Sequence, residues 1–144
     1  MKAGAYTKQF VIFRLDNEEY GIDILRVKEI KEMMGITRVP KAAHFVRGVI
    51  NLRGEVIPVI DLRVKFGLPE GKESENTRII IVSVDDITVG LIVDTSSEVI
   101  EISSESIEEA PDGVGNVDQS YIYGIGKVGE RLIILMDIVK ILTE

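Results

Sequence analysis

The sequence has no cysteine and only one histidine, His44. Without cysteine the chain cannot form a disulfide scaffold, a zinc-thiolate site or a thiol nucleophile. The single imidazole has no identifiable orienting partner, so we expect an exposed loop position rather than a general base or a phospho-acceptor. No apolar run approaches the ~18 residues of a membrane span, and the N-terminus MKAGAYTKQF lacks the apolar segment of a secretory signal. These absences predict a cytoplasmic protein without direct membrane insertion.

Positive charge is also scarce. The chain has 17 Lys and Arg against 24 Asp and Glu, which gives a formal net charge of −7 over 144 residues. Nucleic-acid binding requires a basic surface that displaces counterions from phosphates. Because the cations here are outnumbered and scattered, we expect no nucleic-acid partner.

Short runs of β-branched and aromatic residues follow one another along the chain, separated by turn residues. Their alternation predicts strands, and it favours a strand also for the ambiguous run LRVKEIKEMM. The predicted strands are 9–15, 19–24, 25–34, 48–52, 56–60, 77–84, 87–94, 97–102, 121–128 and 131–136. One helical turn over 62–66 and a short terminal helix over 137–142 are the only helices expected. The pattern indicates a mainly β fold of barrel or sandwich type.

The stretch VRGVINLRGEVIPVIDLR predicts a central hairpin. Its two apolar runs, Gly48–Leu52 and Val56–Ile60, meet at a turn where Gly54 can adopt the positive φ that a tight hairpin needs. Arg53 would then lie at the hairpin tip, as a binding residue or as an ordinary solubilising charge. Pro58 has no amide hydrogen for a ladder, which predicts an edge strand or a bulge.

An internal repeat divides the chain. QFVIFRLDNEEYG at 9–21 aligns with RIIIVSVDDITVG after a shift of 69 positions, and GVINLRGEVIPVID at 48–61 aligns with GIGKVGERLIILMD after a shift of 76. The polar loop 67–76 is the expected seam. We predict one domain over residues 1–144, built from two similar halves that share an apolar core, because halves of this size bury too little surface alone.

The candidate motifs for catalysis or cofactor binding lack the sequence context that such sites require. The run Gly124–Gly129 matches GxGxxG, but a strand-like segment follows it instead of a helix, so hairpin glycines explain it better. The acidic cluster lacks the spacing of a calcium loop and reads as a solvated face; it consists of Glu101, Glu105, Glu108, Glu109 and Asp112. We expect no cofactor, no metal and no catalytic residues. A small enzyme and a nucleic-acid-binding barrel are therefore the disfavoured classes, and a binding module is favoured.

Four segments closely resemble the CheW family, the adaptors of bacterial chemotaxis. They are DNEEYGIDILRVKEI, FVRGVINLRGEVIPVIDLRVKFG, VGLIVDTSSEVIEI and GERLIILMDIVKIL, and the resemblance extends over about residues 9–142. It implies two SH3-like five-stranded β-barrel subdomains packed on a shared apolar core, with a short C-terminal helix. It also implies a non-catalytic scaffold that couples chemoreceptors to the histidine kinase CheA. A CheW-like coupling protein of a non-chemotaxis receptor–kinase pathway is the alternative.

The resemblance also implies partners and contact residues. The partners would be the regulatory domain of CheA and the cytoplasmic tip of chemoreceptors, which places the protein in the cytoplasm at membrane receptor arrays. An apolar groove between the halves would take the receptor tip, and an edge of the first barrel would dock on the kinase. The matching positions are Val27, Glu29, Gly48, Arg53, Gly90 and Val99. Ser96 departs from the family pattern, where an apolar residue is common.

Overall fold

Strands make up most of the computed structural model, which describes residues 4–69, 71–111 and 118–143. The strands are β1 Thr7–Leu15, β2 Glu18–Asp23, β3 Val27–Glu32, β4 Val46–Leu52, β5 Glu55–Asp61, β6 Arg78–Val84, β7 Ile87–Val93, β8 Thr95–Ser103, β9 Ile107–Glu108, β10 Ile122–Val128 and β11 Arg131–Met136. The helices are α1 Leu62–Lys65 and α2 Ile138–Thr143, and 3₁₀ turns form at Ile24–Arg26, Ser104–Ser106 and Gln119–Tyr121. The mainly β prediction is confirmed, including the strand assignment for most of LRVKEIKEMM.

The strands form two sheets, here called barrel A and barrel B. Barrel A has the order β8-β1-β2-β11-β10-β9, and barrel B has the order β3-β6-β7-β5-β4. The two orders match strand for strand, apart from the two-residue β9 that extends barrel A. Each barrel contains one parallel pair, β2 with β11 and β5 with β7. The predicted pair of SH3-like barrels is confirmed.

The internal repeat is visible in the fold as an exchange of strands. The elements β1, β2 and β3 correspond to β6, β7 and β8, and β4, β5 and α1 correspond to β10, β11 and α2. Yet β3 pairs with β6, and β8 pairs with β1. Barrel A therefore combines β1 and β2 of the first repeat with strands of the second, whereas barrel B combines β6 and β7 of the second repeat with β3, β4 and β5 of the first. Loop 67–76 separates the repeats in sequence, but it joins α1 to β6 within barrel B and does not separate the barrels.

Three apolar clusters stabilise this arrangement. The largest lies between the barrels and takes residues from both, among them Val11 and Tyr20 from barrel A and Ile80 and Leu91 from barrel B. Smaller clusters fill the interior of barrel B and the interior of barrel A. Burial of apolar side chains contributes roughly 25 cal/mol per Å², so the contact between the barrels is a major part of the stability of the fold.

The central hairpin forms between β4 and β5, as predicted. Arg53 and Gly54 occupy the two turn positions with φ of 54° and 87°, the backbone of a two-residue hairpin whose turn matches the strand twist. The Gly54 amide donates to Asn51 Oδ1 at 2.9 Å. Asp61 ends β5, and its side chain accepts from the Arg63 amide at the start of α1.

The edge-strand alternative for Pro58 is wrong, because β5 lies between β4 and β7. A β-bulge or irregularity does lie nearby, between Val46 and Gly48 of β4. Pro58 is paired with Val49 of β4, whose own backbone bonds point outward to Thr37. The Pro58 nitrogen therefore faces the other side of β5, where pairing with β7 begins only at Val59. Pro58, which has no amide hydrogen, thus lies just outside the part of β5 that pairs with β7.

Candidate functional site

The two barrels each end in an edge strand, β3 in barrel B and β8 in barrel A. Val27 and Ile30 of β3 are paired with Val82 and Ile80, and Val99 of β8 is paired with Val11. All three partners belong to the cluster between the barrels. Because paired residues share one face of a sheet, Val27, Ile30 and Val99 lie on the faces turned toward the shared core.

These apolar side chains are incompletely covered. Ile30 is 39% exposed and Val99 is 48% exposed, whereas Val27 is partly buried against the shared core. Leu25, in the turn before β3, is 87% exposed and borders a hollow of about 390 Å³ together with Glu101 of β8. The apolar side chains that β3 and β8 leave partly exposed beside the shared core define a surface that is here called the β3–β8 groove.

The structure brings Glu29 and Arg53 together. Arg53 Nη1 and Nη2 donate to Glu29 Oε2 and Oε1 at 2.7 and 3.0 Å, and Lys31 Nζ lies 3.4 Å from Glu29 Oε1. Arg53 belongs to the β4–β5 hairpin and Glu29 to β3, at opposite edges of the sheet of barrel B. This two-point contact, in which two parallel N–H groups match the carboxylate oxygens, closes barrel B between its edges.

The pair is charged and accessible. The Arg53 hydrogen bond, and secondarily that of Lys31, lowers the pKa of the Glu29 carboxyl below its ordinary value. The same contact raises the pKa of Arg53. The Arg53 side chain is 69% exposed, and exposed ion pairs contribute little to folding stability. The guanidinium is therefore free to meet a partner from solvent.

Gly48 and Gly90 occupy a different environment, because both are buried. A Cβ atom on Gly48 would overlap the carbonyl oxygen of Thr37 and lie 2.8 Å from Ile36 Cγ2. A Cβ atom on Gly90 would lie 2.8 Å from Ile79 Cγ2. Both glycines permit close packing inside barrel B, and a side chain at either position would disturb the barrel itself.

Barrel A contains a related ion pair. Arg131 Nη2 donates to Glu98 Oε2 at 3.0 Å and to Glu19 Oε1 at 2.6 Å. Glu98 is the repeat equivalent of Glu29 (29 + 69), and each carboxylate is bonded to an arginine of the hairpin at the opposite edge of its sheet, although the repeat equivalent of Arg53 is Gly129 (53 + 76). The Arg131 hydrogen bond lowers the pKa of Glu19. Both barrels are closed in the same way.

Sequence reasoning missed part of the groove. Ile30 is the repeat equivalent of Val99 (30 + 69). The selection of Val99 as a contact residue could therefore have pointed to Ile30 as well. Leu25 carried no signal, because its exposure depends on the 3₁₀ turn that Asp23 caps at the Leu25 amide. Ser96, the equivalent of Val27, donates from its hydroxyl to the Ile12 carbonyl oxygen at 2.9 Å, so its polar group is satisfied within barrel A.

The remaining motifs have structural explanations. The Gly124–Gly129 run lies in β10 and the hairpin turn, as predicted, with Gly129 at φ 61°. His44 is exposed, and its ring packs edge-on against Phe45. Among residues 4–69, 71–111 and 118–143, no three His, Asp or Glu side chains are grouped to hold a metal ion; Asp112 lies outside this range. No helix in the same range is long and apolar enough to cross a membrane.

The fold is that of a paired SH3-like barrel domain. A model of the CheW-like domain matches residues 9–144, and the chain belongs to the CheW family of chemotaxis scaffold proteins. It is 43% identical over 137 residues to the chemotaxis protein CheW of Klebsiella aerogenes, covering 95% of this chain and 82% of that one. Identity to CheW of Bacillus subtilis is 41%, covering 95% and 88%. The crystal structure of the scaffolding protein TtCheW from Thermoanaerobacter tengcongensis is similar with a TM-score of 0.83 at 42% identity, covering 92% of this chain and 85% of that one.

Proposed function

We propose that this protein is a non-catalytic scaffold that couples chemoreceptors to the histidine kinase CheA, at receptor arrays on the cytoplasmic side of the membrane. The observation that carries the proposal is the β3–β8 groove, an exposed apolar surface formed by two barrels of a CheW-family protein. A coupling protein of another receptor–kinase pathway is the alternative, and it would use the same surfaces with different partners.

The β3–β8 groove suits an amphipathic helix, such as one from the tip of a receptor. Leu25, Ile30 and Val99 offer apolar contacts from both walls, and a helix binds such a groove through apolar residues spaced three and four positions apart. Val27, which is partly buried against the shared core, lies beside them on β3. Modest differences in the affinity of this surface for the helix in its different signalling states would then shift the populations of receptor and kinase states.

The Glu29–Arg53 pair suits the second partner, the regulatory domain of CheA. The hairpin tip at Arg53 is distinct from the apolar groove, and its guanidinium is exposed and held in one orientation by Glu29. The hydrogen bonds of such an arginine become stronger when a partner excludes solvent from them. Arginine is also enriched among the residues that dominate binding energy. We therefore assign Arg53 to kinase contact and the groove to receptor contact.

Calorimetry tests this assignment, with the CheA regulatory domain and a cytoplasmic receptor fragment titrated separately into the protein. Arg53→Ala is expected to weaken kinase-domain binding by about tenfold or more while the receptor fragment binds as before. The free energy of unfolding should hardly change, because the pair is exposed. Lys127→Ala is the control, since Lys127 forms a short exposed ion pair with Glu108 in barrel A.

A charge exchange separates partner contact from barrel closure. Glu29→Arg combined with Arg53→Glu restores an ion pair of reversed direction. If Arg53 contacts the kinase, the exchanged protein stays defective; if the pair only closes barrel B, binding recovers and the assignment of Arg53 fails. Binding of wild-type protein to neither partner would contradict the coupling function and would point to the alternative pathway, tested with the partners of that pathway.

A further inference from the structure

Arg63 forms the most extensive side-chain network between the two barrels in the described chain. It lies in α1, directly after β5 of barrel B, and its side chain is only 11% exposed. Nη1 donates to Asp16 Oδ1 at 2.6 Å and to Asp94 Oδ2 at 2.8 Å, while Nε and Nη2 donate to the Pro69 carbonyl oxygen at 3.0 and 2.7 Å. Burial acts to lower the pKa of Arg63, but the two carboxylates offset this and raise it.

The partners of Arg63 come from different parts of the fold. Asp16 is in the β1–β2 turn of barrel A, and Asp94 is the residue at which the chain crosses from β7 of barrel B to β8 of barrel A. Asp94 Oδ2 also accepts from the Asp16 amide at 2.7 Å, and the Asp94 amide donates to the Arg14 carbonyl oxygen at 3.0 Å. Arg63 thus ties barrel B to the residue that immediately precedes β8, one wall of the groove.

The repeat shows that this clamp exists on one side only. The equivalents of Asp16, Arg63 and Asp94 are Asp85 (16 + 69), Val139 (63 + 76) and Leu25 (94 − 69). The turn backbone is kept, since Asp16 and Asp85 have φ of 55° and 53°. The arginine and the second carboxylate are replaced by apolar residues, and Leu25 is 87% exposed. The related network cannot form there, and that side presents an apolar contact instead.

We propose that Arg63 is a positioning residue that fixes the spacing of the two walls of the β3–β8 groove. The inference rests on the proposed function, because it assigns the groove to a helical receptor segment that contacts both barrels. Apolar packing between the barrels is non-directional and permits small sliding movements. The planar guanidinium, with its four donated bonds, supplies a fixed direction that lysine would not reproduce.

The binding test compares a partner that spans both barrels with one that contacts barrel B alone. Arg63→Met should weaken binding of the receptor fragment by about tenfold and leave binding of the kinase regulatory domain unchanged. Arg63→Lys should give an intermediate loss. Arg47→Met is the matched control, because the Arg47–Asp61 pair at 2.6 Å is also partly buried but joins residues of barrel B only. All variants are compared after circular dichroism has confirmed that they are folded.

A distance measurement tests the clamp without any partner. The natural absence of cysteine allows spin labels to be placed at two exposed positions, Lys28→Cys in β3 and Glu101→Cys in β8. We expect a broader distance distribution between these labels in Arg63→Met than in the otherwise wild-type labelled protein or in Arg47→Met. If Arg63→Met is poorly folded, Arg63→Met with Asp94→Asn removes one unpaired carboxylate and replaces it in both tests.

The outcomes separate the clamp from the coupling function. An unchanged distance distribution in a folded Arg63 variant overturns the inference, even if receptor binding by wild type is normal. Equal losses of affinity for both partners would also overturn it, because they indicate general destabilisation. If wild type binds neither partner, the proposed function fails, and a broadened distribution would still show that Arg63 fixes the groove walls.

Discussion

At the scale of single residues, the Glu29–Arg53 contact illustrates what a sequence contains and what it omits. Arg53 was first selected as the tip of the predicted hairpin, and both positions match the family pattern. Their direct contact was not predicted, because 24 positions separate them and only the closed form of barrel B brings β3 to the tip of the β4–β5 hairpin. Gly48 and Gly90 were selected in the same way, and the structure places them inside the barrel. A matched pattern therefore identified both accessible and buried positions without distinguishing them.

The lowered pKa of Glu29 gives a prediction about acid pH. A carboxyl with a folded-state pKa below its unfolded value stabilises the fold above the unfolded pKa, and this contribution is lost as pH falls through the folded-state pKa. Carbon-detected NMR titration should give Glu29 a pKa below the ordinary glutamate value. Arg53→Ala should raise that pKa more than Lys31→Met does, because the Arg53 bond is the larger cause. An equal or larger effect of Lys31→Met would contradict the assigned contact.

At the scale of elements, the existence of every strand except the two-residue β9 was predictable from the sequence, whereas the pairing partners of the strands were not. Alternation and turn glycines located the hairpins β4–β5 and β10–β11, because those signals act between neighbours in sequence. Pro58 was predicted on an edge strand or at a bulge, because sequence does not show where pairing with β7 begins. The exchange of β3 and β8 between repeats was equally invisible, since equivalent strands have similar patterns and either copy satisfies the local rules.

The glycine in β4 gives a prediction about strand packing. Gly48→Ala should lower the free energy of unfolding by about 2 kcal/mol or more, since a Cβ there would displace Thr37 from its bonds to Val49 and overpacking carries costs of this size. Urea denaturation measures the change. Gly35→Ala is the control, because Gly35 has open space around its Cβ position and no positive φ. Equal stability of the two variants would contradict the packing role of Gly48.

At the scale of the whole molecule, strand exchange makes the two repeats interdependent. A fragment of residues 1–69 contains β1 to β5, and a fragment of residues 71–144 contains β6 to β11. Neither fragment contains a complete barrel. We expect each fragment alone to lack the dispersed NMR amide signals of a folded protein. Mixed in equal amounts, the two should associate and recover the spectrum of the intact chain, because the cut falls in loop 67–76 and leaves every strand pairing available. A folded spectrum from either fragment alone would contradict this account.

The exchanged strands also bear on how such a chain could arise. The matching strand orders of the two barrels are those expected of a homodimer of half-length polypeptides that exchange a strand, and in such an origin loop 67–76 would be the fusion point. A dimer of that kind dissociates and unfolds on dilution, because its stability depends on subunit concentration. Covalent fusion replaces this dependence with a fixed effective concentration, on the order of millimolar for a short flexible linker. Fusion also frees the two copies to diverge, as Arg63 and Val139 have done, which no symmetric dimer of identical subunits could achieve.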